Sequence, residues 1–330
     1  MYEETISRIT RSLADVSDKT LKVIKNLDTV SEKSLFTDSF QTMTTGKGCM
    51  TAYQVFSGIQ LSLNVFLGDQ VSFHHDSHPH ILEINHCHTG RIGWNFSNGT
   101  SAYLGIGDLS LHSMECCADS AMIFPLGYCE GISISIDLDE LYRHPLPLLE
   151  ETSIDILQIR DNFCCPDRST ALSACPDIDS IFHPLYIIPE HLRMPYFKLK
   201  VQELLLYLSR LDPEENSLTP YCSKQVALIK DIHSQLTEHL DERFTIDGLA
   251  KKYLINTTSL KEIFKGVYGL PIATYMNQYR MQKGMELLRT TNDSIAEIAE
   301  KLGYETQGKF SKAFKNYTKM TPSSYRAMIR

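Results

Sequence analysis

The chain has 330 residues, of which 42% are hydrophobic and 22% are charged, a composition typical of globular proteins and a length sufficient for two domains. No apolar run reaches the ~20 residues that a membrane-spanning helix needs, and the first residues lack the basic and apolar segments of a signal peptide. The sequence therefore predicts a cytoplasmic protein without a membrane partner.

The net charge of −8 is unevenly distributed along the chain. From Pro220 to the end there are 17 Lys and Arg against 11 Asp and Glu, a net charge of +6, whereas the remainder carries 15 against 29, a net charge of −14. A basic segment attached to an acidic body suggests an end that binds a polyanion. The nine cysteines are an odd number and are scattered, which predicts mostly free thiols in a reducing compartment.

The first 211 residues change character near residue 36. Residues 1–35 have apolar residues at helical spacing and are predicted to be a helical lead-in. Residues 36–211 begin with short β-rich runs, including 60–65, 81–84 and 132–136, separated by turn signals such as Ser97-Asn98-Gly99. Many short, evenly spaced strands favour a β-barrel or jelly roll. Helices are predicted to return after about residue 138 and to flank this barrel.

The strongest of these later helices is predicted over residues 198–211. Its apolar stripe consists of Val201, Leu204, Leu205, Leu208 and Leu211. Such a stripe either packs on the barrel or pairs with its copy in a homodimer. Residues 212–222 are mostly polar and are predicted to be the linker to a DNA-binding domain at 223–330.

The C-terminal segment contains an internal repeat. Phe264-Lys265 recurs fifty residues later as Phe314-Lys315, and Leu249-Ala250 recurs forty-nine residues later as Ile298-Ala299. Each copy is predicted to be a helix, a short turn and a second helix. Two tandem helix-turn-helix units are suited to place two helices into successive major grooves of DNA.

Capping residues define the predicted helices of this repeat. Thr245 begins the first short helix, and Asn256 begins the candidate reading helix at 257–267. Ser294 and Glu297 form a capping box in the second copy, and Thr306 begins the candidate reading helix at 306–317. A helix from Ile272 to about residue 289 is predicted to join the two units.

These segments resemble the AraC/XylS family of transcription regulators. The resemblance covers roughly residues 225–330 and rests on the runs at 295–304, 310–315 and 321–326. It implies a sequence-specific DNA-binding regulator, most often an activator that acts with RNA polymerase. By their positions in the motif, the residues expected to meet bases or phosphates are Thr257, Thr258, Lys261, Glu262, Lys265, Gln307, Gly308, Lys309, Lys312 and Lys315.

Four positions depart from the family pattern. Gly284 replaces the usual alanine of the joining helix at a cost of ~1 kcal/mol in helix propensity, and Met320 replaces a glycine. Gly308 removes a side chain where the family often has a polar one. Glu262 can accept from cytosine N4 but repels phosphate. We expect these changes to alter which sequence is read more than whether DNA is bound.

The N-terminal region more faintly resembles the cupin-like sensor barrels of the same family. The run His78-Pro79-His80 with Glu83, and the later His112, are similar to the two cupin motifs, although the spacing is short and a proline is missing. The candidate effector-binding residues are His78, His80, Glu83, His88 and His112. They either hold a metal or metal complex or line a pocket without one.

The effector itself has several candidates. Faint similarity to siderophore-responsive members points to an iron complex or a haem, and other small molecules remain open. The dipeptides Cys165-Pro166 and Cys175-Pro176 suggest instead a haem or redox sensor that signals through Cys164, Cys165 and Cys175. A metal-dependent cupin enzyme with a DNA-binding appendage is a further alternative. The imperfect second motif argues against it, so no catalytic residue is assigned.

Overall fold

A computed structural model of the chain describes residues 2–26, 41–74, 79–96, 98–117, 121–147, 152, 154–163, 170–212 and 217–329. The chain divides into two compact units, Met1–Ser223 and Lys224–Arg330. The predicted succession of a sheet-rich part and an all-helical C-terminal part is confirmed. Within the described ranges, no helix is both long enough and apolar enough to cross a membrane.

The first unit contains two β-sheets. Their strands are β1 (Thr20–Asn26), β2 (Gln41–Thr44), β3 (Lys47–Phe56), β4 (Ile59–Leu67), β5 (Gln70–His74), β6 (Ile81–Gly90), β7 (Ile92–Asn95), β8 (Thr100–Leu104), β9 (Leu109–Ser113), β10 (Ala121–Ile123), β11 (Tyr128–Asp137), β12 (Thr170–Leu172) and β13 (Tyr221–Cys222). The larger sheet has the order β1-β3-β4-β11-β6-β9-β12, and the smaller has the order β13-β8-β7-β10-β5-β2. All described pairs are antiparallel except β1 with β3.

Helices cover the outer face of the larger sheet. The first unit contains α1 (Tyr2–Ser12), α2 (Leu138–Arg143), α3 (Ile156–Phe163), α4 (Pro176–Ile187) and α5 (Arg193–Ser209). Apolar residues from α3, α4 and α5 pack on alternate residues of the strands, such as Leu61, Ile84 and Ile134. The opposite, inner face packs against the smaller sheet through Phe66, Trp94 and other residues of a second core. The central strands of the larger sheet, β4, β11, β6 and β9, are therefore buried on both faces, whereas the edge strand β1 is mostly exposed.

The predicted helical lead-in at 1–35 is wrong beyond its first part. Helix α1 ends at Ser12, and Thr20–Asn26 forms β1, which lies parallel to β3. Short apolar runs fit helical and strand periodicity equally well, and Lys19, with a φ of 57°, begins the change of direction. Residues 27–35 lie outside the described residues.

The leucine stripe predicted as a possible dimer seam is buried within its own unit. Leu204, Leu205 and Leu208 are fully buried against the larger sheet, and Leu211 packs beside them.

Part of the predicted linker at 212–222 also belongs to the first unit. Tyr221–Cys222 extends the smaller sheet beside β8, and the Leu218 amide donates to the Ala171 carbonyl oxygen at 2.6 Å. Residues 213–216 lie outside the described residues.

The second unit is helical throughout its described length. Its helices are α6 (Ser223–Glu238, whose first residue closes the first unit), α7 (Ile246–Lys252), α8 (Thr257–Tyr268), α9 (Ile272–Thr290), α10 (Ile295–Lys301), α11 (Gln307–Thr318) and α12 (Pro322–Ile329). The pairs α7–α8 and α10–α11 are the two copies predicted from the repeat. The long helix α9 joins them and packs against α8 and α11.

The turns inside the two copies begin with the same backbone conformation, formed by different residues. The Ile255 amide donates to Ala250 in the first copy as the Tyr304 amide donates to Ala299 in the second. The left-handed residue of the turn is Leu254 in one copy, with a φ of 53°, and Gly303 in the other, with a φ of 75°. A second turn that is one residue longer explains why the repeat offset changes from forty-nine to fifty.

We predict that Leu254→Gly stabilises the second unit. Leu254 is 93% exposed, so little packing is lost, while glycine removes about 1 kcal/mol of left-handed strain. Thermal unfolding of the full chain should show a rise of roughly 4 °C in the transition of this unit. Leu254→Ala is the matched control, since it removes the apolar side chain but keeps the strained Cβ. An equal gain in both variants would contradict the explanation.

Candidate nucleic-acid interface and effector site

The first candidate reading helix, α8, is fixed by its cap and by its buried face. The Asn256 side chain accepts from the Ser259 amide at 2.8 Å, and Gly269 ends the helix with a φ of 83°. Thr257 is the first helical residue. The inner face of the helix consists of Leu260, Ile263, Phe264, Val267 and Tyr268.

This packing leaves the opposite face of α8 to solvent. Thr258, Lys261, Glu262 and Lys265 are exposed, and Thr257 is half-buried. The five predicted contact residues of this helix therefore lie on or beside its outer face. That face carries two cations and one carboxylate.

The second candidate reading helix, α11, repeats the arrangement with a more basic face. Thr306 accepts from the Lys309 amide at 3.2 Å, as predicted for its cap. Phe310 and Phe314 are fully buried. Gln307, Gly308, Lys309, Lys312 and Lys315 are all exposed. The helix has three lysines and no acidic residue.

The lysines of α11 differ in their ion pairs. Lys309 contacts the carboxylate of Glu305, which also contacts Arg243. Because both cations stabilise the ionised form, they lower the pKa of Glu305. Lys312 and Lys315 make no ion pair with any described residue. These two ammonium groups are therefore the cations of α11 most available to a phosphate.

A half-buried histidine that was not predicted from the sequence positions α8. The ring of His233 on α6 stacks on Tyr268 at 4.2 Å, and its Nε2 lies 2.8 Å from the Tyr275 hydroxyl of α9. Burial lowers the pKa of His233 to about 4, so the ring is neutral near pH 7. It ties the end of α8 to the start of α9.

The structure supplies a reason for Gly284 in the joining helix. A Cβ at this position would lie 3.2 Å from the side chains of Leu302 and Phe310. Glycine permits α9 to approach the second helix-turn-helix unit closely, at the cost in helix propensity noted above. The departure from the family pattern is therefore a packing feature.

The five predicted effector residues do not form one site within the described parts of the chain. His80 is half exposed and lies 2.7 Å from Asp139. His88 stacks on Tyr186 of α4 at 4.0 Å, on the outer face of the larger sheet. Glu83 and His112 are buried and lie opposite each other in the pairing of β6 with β9. His78 lies outside the described residues.

This separation bears on the metal and haem hypotheses. No group of three His, Cys, Asp or Glu residues in the described ranges is arranged to hold a metal ion. Since successive side chains of a strand point to opposite faces, Glu83 and His88 on β6 face different sides of the sheet. Cys175 is half-buried, with its sulfur 3.9 Å from the Tyr207 hydroxyl, and Cys164 and Cys165 lie outside the described residues. The predicted metal set does not fit the described residues.

The inner face of the larger sheet instead carries a group of buried polar side chains, here called the polar ladder. Each member is at most 7% exposed. The ladder consists of Gln60, Ser62 and Asn64 on β4, Ser133 and Ser135 on β11, Glu83 and Asn85 on β6, and Ser110 and His112 on β9.

Strand register arranges the ladder in rungs. Ser62, Ser133, Asn85 and Ser110 are successive partners across four strands. Asn64 donates to Ser133 at 2.8 Å, and Ser133 donates to Asn85 at 2.6 Å. In the neighbouring rung, Ser135 donates to Glu83. Burial raises the pKa of Glu83 to about 7, and the Ser135 hydrogen bond opposes this shift in part.

Comparison with known proteins relates the second unit to transcription regulators. A family model described as a helix-turn-helix domain matches residues 249–328. Regulatory protein SoxS of Escherichia coli K12 is 35% identical over 99 residues, which cover 30% of this chain and 92% of SoxS. The Msm operon regulatory protein of Streptococcus mutans is 38% identical over 123 residues, which cover 37% of this chain and 42% of that protein.

The chain thus spans less than half the length of the Msm regulator. A solved structure of the C-terminal domain of the two-component response regulator yesN from Fusobacterium nucleatum is 36% identical, with a TM-score of 0.29. The match covers 32% of this chain and 99% of that domain. The helix-turn-helix family model falls in the region that contains the repeat.

We predict that Glu83→Gln changes how stability depends on pH. A carboxyl with a pKa of about 7 when folded and 4.5 when unfolded binds more protons in the folded state between these values, so stability falls as pH rises through them. Glutamine cannot ionise. The variant should therefore gain roughly 2–3 kcal/mol over the parent protein between pH 5 and pH 8. Urea unfolding measures this gain, and the exposed Glu190→Gln is the control. Equal pH dependence of parent and variant would refute the assignment.

Proposed function

The chain belongs to the AraC/XylS family of sequence-specific, DNA-binding transcription regulators, and we propose that α8 and α11 enter successive major grooves of its operator. The observation that carries this proposal is the duplicated helix-turn-helix unit, in which both second helices bury an aromatic face and expose a polar one. Double-stranded DNA is the partner, and the DNA contacts come from the ten residues predicted above.

We infer a division of labour between the two reading helices. The outer face of α11 carries lysines without an acid, which suits phosphate contacts that position the protein. The outer face of α8 combines Thr258 with Glu262, which suits contacts to base edges. Phosphate contacts supply affinity that depends on salt, whereas base contacts supply sequence discrimination.

The remaining elements of the proposal concern the first unit and the partners. We propose that this unit binds a small effector and that the regulator activates transcription together with RNA polymerase in the cytoplasm. Its buried polar ladder supports effector binding, because an apolar face would pack the two sheets at lower cost. A redox or haem response through cysteines is the second candidate, and the proximity of Cys175 to Tyr207 gives it limited support. We propose no enzymatic activity.

We also propose a homodimer, through a different face of α5 from the one predicted. Leu199 and Leu206 on α5, and Leu192 immediately before the helix, recur every seven residues and are 61%, 37% and 39% exposed. Tyr196, 37% exposed, lies between Leu192 and Leu199. A seven-residue apolar period is that of a coiled-coil seam, and a two-fold dimer pairs such a face with its own copy.

Lys312→Ala is expected to weaken operator binding. The lysine is exposed and has no ion pair with a described residue, so its loss removes about one counterion from the salt dependence. Gel-shift titrations at several salt concentrations, on DNA selected by the parent protein, should give a slope reduced by about one. Thr258→Ala should have a smaller effect on affinity. Lys283→Ala, which changes a half-buried lysine of α9 that is already paired with Glu286, is the control, and unchanged affinity for Lys312→Ala would reject its placement.

Leu199→Ala is expected to weaken the dimer. Removing this side chain from both copies costs about 3 kcal/mol of apolar burial, equivalent to a roughly 100-fold higher dissociation constant. Sedimentation equilibrium of the full chain measures this change. Ile187→Ala is the matched control, because Ile187 is 68% exposed but lies at the end of α4. A dimer unaffected by Leu199→Ala would place the interface elsewhere.

A further inference from the structure

The polar ladder has the features of a ligand site. Both faces of the larger sheet's central strands are buried, yet only the outer face is apolar at these strand positions. Buried polar groups cost free energy unless they are hydrogen-bonded. A continuous polar surface enclosed between two sheets therefore needs a function that compensates for this cost.

The hydroxyl oxygens of Ser62 and Ser110 and the amide oxygen of Asn64 lack a partner among the described residues. Ser62 and Ser110 lie at the two ends of one rung, whose middle members, Ser133 and Asn85, bond to each other at 2.6 Å. Hydroxyl groups that can donate or accept a hydrogen bond are thus available at both ends of the rung. Ser133 and Asn85 occupy the two strand positions between them.

Glu83 is the only carboxyl group of the ladder, and it has no cationic partner at ion-pair distance among the described residues. Its described hydrogen bond comes from the neutral hydroxyl of Ser135. An ionised carboxylate in such a place is costly unless a positive group pairs with it. A ligand that brings an ammonium group would supply this charge.

Aromatic rings pack on His112, in the rung that contains Glu83. His112, the strand partner of Glu83, has Trp94 at 5.8 Å and Phe96 at 5.6 Å between ring centroids. Trp94 on β7 and Phe96 just beyond it thus pack on the histidine that is the strand partner of Glu83. Aromatic rings attract ammonium groups through cation–π interaction, and a carboxylate attracts them through charge.

We propose that the polar ladder binds a small, hydrophilic amine, whose ammonium group pairs with Glu83 and whose other polar groups bond to Ser62, Asn64 and Ser110. This inference rests on the proposed effector response and names the chemical class of the effector. A neutral polyol would satisfy the hydroxyl and amide groups but would leave Glu83 without a counter-charge. The presence of the carboxyl therefore favours the amine.

The test uses three pairs of probes with matched size. Ethanolamine, putrescine and glucosamine are each compared with a neutral partner: ethylene glycol, 1,4-butanediol and glucose. Calorimetry and thermal unfolding of the full chain should show binding of at least one amine that is roughly tenfold or more tighter than that of its neutral partner. Equal binding of an amine and its neutral partner, or binding of none of the three amines, would overturn the proposal.

Variants connect the binding to the ladder. Glu83→Gln should weaken amine binding by roughly tenfold or more, and the exposed Glu190→Gln should not. If Glu83→Gln fails to fold, the Ser62→Ala, Ser110→Ala double variant gives the second measurement and should also weaken binding. Retained amine affinity in the folded Glu83→Gln protein, or in the double variant, would overturn the assignment.

Gel shifts in the presence of the amine separate this inference from the proposed effector response. An amine that binds through Glu83 but leaves operator affinity and transcription unchanged supports the ligand class and contradicts the effector response. If operator affinity responds to a neutral molecule and no amine binds, the effector response is supported and the amine class is contradicted.

Discussion

The burial of one face of each short helix in the second unit is the constraint on which its surface depends. Phe264 and Phe314, fifty residues apart, are both fully buried and occupy the same place in the two copies. A helix held by such a residue must present its opposite face to solvent. The lysines of α11 are exposed for this reason, and so are the polar, basic and acidic residues on the outer face of α8. The chemistry of the outer face can therefore vary without changing the fold.

The sequence predicted the second unit well because its signals are local. Caps at Thr245, Asn256 and Thr306 and the capping box at Ser294 each specify a helix start within a few residues, and all four are present. What the local signals missed is tertiary. The neutral His233 that joins α8 to α9 and the close approach at Gly284 depend on residues distant in sequence.

The first unit was harder to predict because the central strands of its larger sheet are buried on both faces. Alternation along a strand ordinarily indicates one buried face and one exposed face. Here the alternation of Leu61 with Ser62, or of Ile134 with Ser135, separates an apolar buried face from a polar buried face. The strand β1 was predicted as part of a helix for a different reason, because a short apolar run fits both periodicities. Strand alternation separates His88 from Glu83, and His80 lies just before β6, although the spacing of the cupin-like motif suggested one site.

The polar ladder also limits how an effector could act. Buried polar groups without partners lower the stability of the unit that contains them, and a ligand that satisfies them returns part of that free energy on binding. Binding changes DNA affinity only to the extent that the effector prefers one conformation of the regulator over another. A site that is costly without ligand contributes to this difference only when its polar groups are better satisfied in one conformation than in the other. In the proposed effector response, the polar inner face would have to meet this condition to serve regulation as well as recognition.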